Sequence, residues 1–174
     1  MKIIGTMLLF SFLITGCAQV LPDSNVPKKE VLETSSSQIN APSFFHLSVL
    51  KDVNWEEAPS FVEGKIPLKG IEGKIAMADT TVVTNEQNEI MWYFLDPEMP
   101  TGKLSIIALK QGTVTPTPVL FQKETSKQIW TTSNTIDSTT TELPLTMSLP
   151  SSGLWILNIY VNERYYDQFV INAE

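Results

Sequence analysis

The strictest constraint on this fold is the alternation across residues 141–149, where Thr141, Leu143, Leu145, Met147 and Leu149 fall on one side and Glu142, Pro144, Thr146 and Ser148 on the other. A period of two places one apolar row against a core and one polar row in water, which is a half-buried β-strand. Pro144 cannot donate a ladder hydrogen bond, so it marks a sheet edge or a bulge. Residues 150–153, Pro-Ser-Ser-Gly, then make a turn. Residues 154–161 follow with Trp155, Leu157, Ile159 and Val161 on one face and a second face that is also mostly apolar, as in a central strand. Asn162-Glu163-Arg164 has the length of a hairpin connection. Residues 165–171 return as the last strand, with Tyr165, Asp167, Phe169 and Ile171 alternating with Tyr166, Gln168 and Val170.

Further strands are expected at 74–83, 90–95, 103–110, 118–122 and 128–134, separated by turn residues such as those of 96–102. No window carries an apolar 3.6 period. The pattern predicts an all-β chain, an antiparallel β-sandwich of about eight strands, spanning residues 44–174. Residues 44–59 hold Phe44, Phe45, Leu47, Val49, Leu50 and Trp55, and are expected to pack onto the sandwich as an opening strand or short helix.

The N-terminus reads differently. Lys2 precedes an apolar run from Ile3 to Ile14, which is too short for a bilayer span of about 20 residues but suits a signal peptide. The run ends in Leu13-Ile14-Thr15-Gly16-Cys17. This resembles the bacterial lipobox, and the resemblance implies diacylglycerol on the Cys17 thiol and cleavage after Gly16. Cys17 is the one cysteine of the 174 residues, so no intrachain disulfide can form. Residues 1–16 are thus expected to be a lipoprotein signal peptide. Residues 17–43, rich in Pro, Ser, Asn and charge, are expected to be the acylated cysteine and a flexible tether. The implied location is the cell membrane's extracytoplasmic face, lipid-anchored.

A second resemblance lies in the folded part. Glu89-Ile90-Met91-Trp92-Tyr93-Phe94, Thr101-Gly102-Lys103-Leu104, and Leu149-Pro150-Ser151-Ser152-Gly153-Leu154-Trp155 resemble a family of uncharacterised Gram-positive lipoproteins. Gly70-Ile71-Glu72-Gly73-Lys74-Ile75 looks like that family's domain start. The resemblance covers Trp55 to the C-terminus. It implies an immunoglobulin-like C-terminal domain and no specific activity.

Residue chemistry narrows the function. With Lys+Arg 12 against Asp+Glu 19, the net charge of −7 lacks the basic footprint that nucleic-acid binding needs. His46 is the one histidine, and an acylated Cys17 offers no thiolate. His/Cys zinc sites and Cys–His catalysis therefore lack their parts. Glu56 with Glu57, and Asp96 with Glu98, are carboxylate neighbours on turns rather than a pair facing across a cleft. No metal, cofactor or catalytic residue is expected.

Trp92 and Trp155 sit in apolar strands and read as core. Trp130, among Gln128, Thr131 and Thr132, is the best candidate for an exposed contact. Tyr165 and Tyr166 flank a hairpin tip and cannot both face inward. The reading is a non-enzymatic binding or interaction module at the cell envelope. It would be anchored through Cys17 and meet a protein or glycan partner. A protease-inhibitor-like sandwich and a carboxylate-dependent envelope enzyme are the alternatives.

Overall fold

In the computed structural model, which describes residues 41–122 and 124–174, the alternating runs become strands. They are β1 (Ser60–Glu63), β2 (Ile66–Ile71), β3 (Ile75–Ala78), β4 (Asn88–Phe94), β5 (Gly102–Lys110), β6 (Thr117–Pro118), β7 (Leu120–Gln122), β8 (Lys127–Ile129), β9 (Thr131–Ile136), β10 (Glu142–Met147), β11 (Gly153–Val161) and β12 (Arg164–Ala173). One sheet has the order β1-β2-β3-β4-β10-β7-β8, and the other β12-β11-β5-β6, with β9 also on β5. The ladders are antiparallel, and the fold is the expected all-β sandwich.

The strands outnumber the expected set because two of them are split between the sheets. The run expected at 118–122 breaks at the buried Val119: Thr117 and Pro118 pair with β5, while Leu120 pairs with β10 and β8. The run expected at 128–134 breaks at Trp130, with β8 in the first sheet and β9 on β5 in the second. Strands that change sheets in this way form the corners of a sandwich. The strand expected at 74–83 is shorter than its apolar pattern, ending at Ala78. Beyond the turn, Val82 bridges Ala173 of the other sheet in parallel.

The β1–β2 hairpin had no signal in the alternation. Its residues are mixed in polarity, and Pro67 lies within it. Pro67 pairs with Val62, and its carbonyl still accepts the Asp79 N–H at 3.0 Å. After it, Ile71-Glu72-Gly73-Lys74 closes with a bond from Lys74 N–H to Ile71 O, and Gly73 takes the φ of 71° that the third position of a type II turn needs. Gly70 is fixed by space: a Cβ there would stand 2.6 Å from the Ile75 carbonyl oxygen.

The alternation of β10 is realised in burial. Leu145, Met147 and Leu149 are in the core, and Leu143 packs against it. Thr141 O accepts the Phe94 N–H, and the register then turns the backbone groups of odd-numbered β10 residues toward β4. Pro144 therefore lacks its donor on the side away from β4. There β7 pairs only at Met147, so the proline sits on an open stretch of edge, as expected.

Between the sheets lie Trp92, Phe94, Ile106, Leu157, Ile159, Phe169 and their neighbours. Trp92 is fully buried, with its ring 5.7 Å from that of Phe169. Trp155 is buried and donates its Nε1–H to Ser151 O at 2.8 Å, tying the turn to the strand. The second sheet is also covered on its outer face. Ile107 and Leu109 of β5, Ile156 and Tyr160 of β11 and Val170 of β12 form another apolar cluster, packed under Ala41, Phe44, Phe45, Val49, Leu50, Val53 and Trp55. Residues 41–59 are thus a strap across the outside of the sheet, with a 3₁₀ turn at Leu47–Leu50 as their regular element. The strap's one backbone hydrogen bond to the sheet it covers is from Ala58 N–H to Val170 O, 2.8 Å. Side-chain burial holds the rest.

The β11–β12 turn places both central residues at positive φ, Asn162 at 50° and Glu163 at 63°, the type I′ geometry that matches strand twist. Glutamate is strained there, since left-handed backbone costs a residue with a Cβ roughly 1–2 kcal/mol. Glu163→Gly should stabilise the protein by about 0.5–1 kcal/mol after the entropy of glycine is counted, read as a higher denaturant midpoint at unchanged slope. Trp92→Ala should cost about 3–5 kcal/mol from lost transfer energy and the cavity left behind. Trp130→Ala, at a half-buried position, should cost clearly less; equal shifts in midpoint would contradict the burial difference.

Candidate functional site

Aromatic residues gather where β11 and β12 meet the strap, and a bulge decides which way each one points. The β11–β12 register runs regularly to Ile159↔Asp167 and then shifts, so that Tyr160 pairs with Tyr165. Tyr166 is the extra residue. The sequence pattern put Tyr165 on the face of Asp167, Phe169 and Ile171. The bulge corrects this: Tyr165 joins Tyr160 on the outer face, and Tyr166 packs against the core between the sheets. A one-residue insertion reverses side-chain alternation, and composition does not encode where it occurs.

On the outer face, Tyr160 is the hub. Its ring is 5.1 Å from Phe44, 6.5 Å from Phe45 and 5.7 Å edge-on from Tyr165. Tyr165 is 47% exposed and presents its other side to solvent. Trp130 is half-buried against the same outer-face cluster, beside the crossing from β8 to β9. The structure therefore brings Trp130 and Tyr165 to one side of the sandwich and sends Tyr166 elsewhere. The Tyr160 hydroxyl is buried with no hydrogen-bond partner among the described residues, and burial pushes its pKa up to about 12. Two polar neighbours share this face: Asn158, which donates its Nδ2–H to Ile107 O at 2.9 Å, and Gln168 opposite it on β12.

Tyr166 belongs to a polar knot at one end of the sandwich. Its hydroxyl donates to Asp96 Oδ2 at 2.8 Å, and Lys74 Nζ lies 4.8 Å above its ring and 2.5 Å from Asp167 Oδ2. Burial, then the Asp96 carboxylate, raises the Tyr166 pKa. The Glu98 backbone N–H, then the Tyr166 hydroxyl, lowers that of Asp96. The knot fastens the 95–101 loop and the start of β3 to β12.

Asp96, Glu57, Asp79 and Asp137 are engaged in local contacts. Asp96 Oδ1 accepts the Glu98 N–H at 2.8 Å, so this pair closes a turn and does not face across a cleft. Glu57 and Asp79 both reach Lys69, at 2.5 and 3.3 Å. Burial would lower the Lys69 pKa, but its bonds to the two carboxylates outweigh this and raise it. Ser60, then Lys69, holds Asp79 below the ordinary carboxylate range. Asp137 is lowered by the hydroxyl and backbone N–H of Thr139, within its own turn. Glu56 and Glu57, with Asp52, line a cleft of about 320 Å³ that the strap shares with the end of β2 and with β12. His46 is exposed at the start of the 3₁₀ turn and makes no capping bond. Among the described residues no group of three or more His, Cys, Asp or Glu is placed to hold a metal ion. No helix among them is long and apolar enough to cross a membrane. Gly16 and Cys17 lie outside the described residues.

Tyr160 makes the outer-face cluster testable by pH. Its folded pKa lies above the value near 10 of a free tyrosine, so its neutral form stabilises the fold fully below pH 10. That contribution fades as pH rises from 10 through about 12, because the unfolded chain loses the proton first. Tyr160→Phe should leave the stability at pH 7 unchanged or raise it by about 1 kcal/mol, since the hydroxyl is buried unpaired. The variant should also show a shallower alkaline decline than the wild type. Equal declines would contradict the buried, unpaired phenol.

With this geometry in hand, comparison with known proteins is informative about kinship. Residues 44–171 match the family described as a domain of unknown function, DUF4871. No curated protein matches the chain. A crystal structure described as that of a "Putative Lipoprotein from Bacillus anthracis" is 83% identical, covers 80% of this chain and 100% of that one, and superposes with a TM-score of 0.78. The resemblance to uncharacterised Gram-positive lipoproteins agrees with this neighbour, and the chain belongs to the DUF4871 family.

Proposed function

We propose that this chain is an extracytoplasmic lipoprotein, cleaved after Gly16 and acylated on Cys17, whose sandwich is a non-enzymatic interaction module at the cell envelope. The observation that carries the anchoring is the position of the sole cysteine, directly after a short apolar run that follows Lys2. The 83% identity to a protein described as a lipoprotein supports it. Two acyl chains give stable attachment where one gives only reversible binding.

The module reading is supported by how the reactive groups are used. The carboxylates of Asp96, Glu57, Asp79 and Asp137 hold turns and strands together. His46 stands alone on the surface. Tyr165 is a large, partly apolar contact group on a tight hairpin, backed by the Tyr160 ring. Aromatic groups held rigid in this way lose little entropy on meeting a protein or glycan surface. Trp130 adjoins the same cluster and extends the proposed contact face.

Cys17→Ala should abolish both incorporation of labelled palmitate and retention in the membrane fraction. Lipid on the variant, or its absence from the wild type, would overturn the anchoring. For the module, a photo-crosslinking residue at Tyr165 should give a discrete adduct in intact envelopes, and one at Val83, also exposed, should not. Adducts at 83 with none at 165 would place the contact face elsewhere.

A further inference from the structure

We propose that the end of the domain where the strap begins is a lipid-facing surface, so that the sandwich rests on the membrane outer leaflet in a preferred orientation. This rests on the reading that Cys17 carries the anchor. Ala41, the first described residue, lines a recess of about 340 Å³ with Pro42, Phe45, His46, Leu47 and Pro116. Two stretches meet at this recess: the start of the strap and the loop after β5. Leu47 is 42% exposed, and Val114, two residues from Pro116 in that loop, is 62% exposed. Large apolar side chains so exposed gain by entering the headgroup boundary, where amphipathic surfaces bind in proportion to the apolar area they bury.

The charge pattern points to the same partner. The protein is net −7, yet residues 41–51 contain no Asp or Glu, and neither do residues 106–122, which run into and out of the loop at the recess. The charged side chains of these stretches are Lys51 and Lys110, with His46 beside the recess. An anionic leaflet repels carboxylates and attracts lysine, so this end can approach where most of the surface is opposed. Val62 and Ile66, also apolar and exposed, differ in their surroundings. They are 66% and 41% exposed on the β1–β2 hairpin, where Glu63 follows Val62 and pairs with Ile66.

The test uses the acylated protein purified from its own membranes. It is reconstituted into vesicles of phosphatidylglycerol and phosphatidylethanolamine. Because Cys17 is blocked by its thioether, single cysteines in Leu47→Cys, Val114→Cys and Val62→Cys each take one environment-sensitive fluorophore. Probes at 47 and 114 should shift to the blue and be quenched by spin-labelled lipid, and the probe at 62 should do neither. Unquenched probes at 47 and 114, or quenching at 62 equal to theirs, would overturn the orientation. Intact mass separates this from failure of the anchor: lipid on Cys17 with unquenched probes defeats only the lipid-facing surface, while lack of lipid defeats the anchoring and this inference with it.

Discussion

Covering β11 on both faces is the physical demand from which the rest of this structure follows. Every residue from Trp155 to Val161 is buried. One side faces the core between the sheets, and the other carries Ile156, Asn158 and Tyr160. A sheet with apolar residues on both faces must be sandwiched, or it exposes an aggregating surface. The first sheet supplies one cover. Residues 41–59 supply the other, although they form no strand, because Phe44, Phe45, Leu50 and Trp55 bring apolar area without needing a ladder. The corners at Val119 and Trp130 serve the same end. By passing β6–β7 and β8–β9 from one sheet to the other, the chain joins the layers along one side of the core.

The strongly periodic part of this arrangement was legible from residues alone. The strands at 141–149 and 154–161, the hairpin after them and the burial of Trp92 and Trp155 all follow from patterns of period two and apolar density. What stayed hidden depends on partners distant in sequence. The β1–β2 hairpin is an edge with little to bury, so Ser60, Val62 and Glu63 carry no signal. The breaks at Val119 and Trp130 arise because β5 offers one edge to two successive partners, β9 along Gly102–Ser105 and β6 along Ile107–Ala108. The bulge at Tyr166 is set by its bond to Asp96, seventy residues away in the chain.

That bulge also links fold to proposed function. It turns Tyr165 outward onto Tyr160 while Tyr166 fastens the far loop through Asp96 and Lys74. Two adjacent tyrosines thus face different ways, one partly exposed on the outer face and one committed to the scaffold. The strap stands on the same chemistry. It lies over Tyr160, so the outward Tyr165 and the cover of the second sheet share one ring as their support.

The claim that residues 41–59 are part of the folded unit is the one on which this account most depends. Limited proteolysis, with the resistant fragment identified by intact mass, measures it directly. A strap held by Phe44, Phe45 and Tyr160 predicts a fragment that begins near Ser43 and runs through β12. A fragment that begins near Phe61 would contradict it, since the outer face of the second sheet would then be stable without its cover.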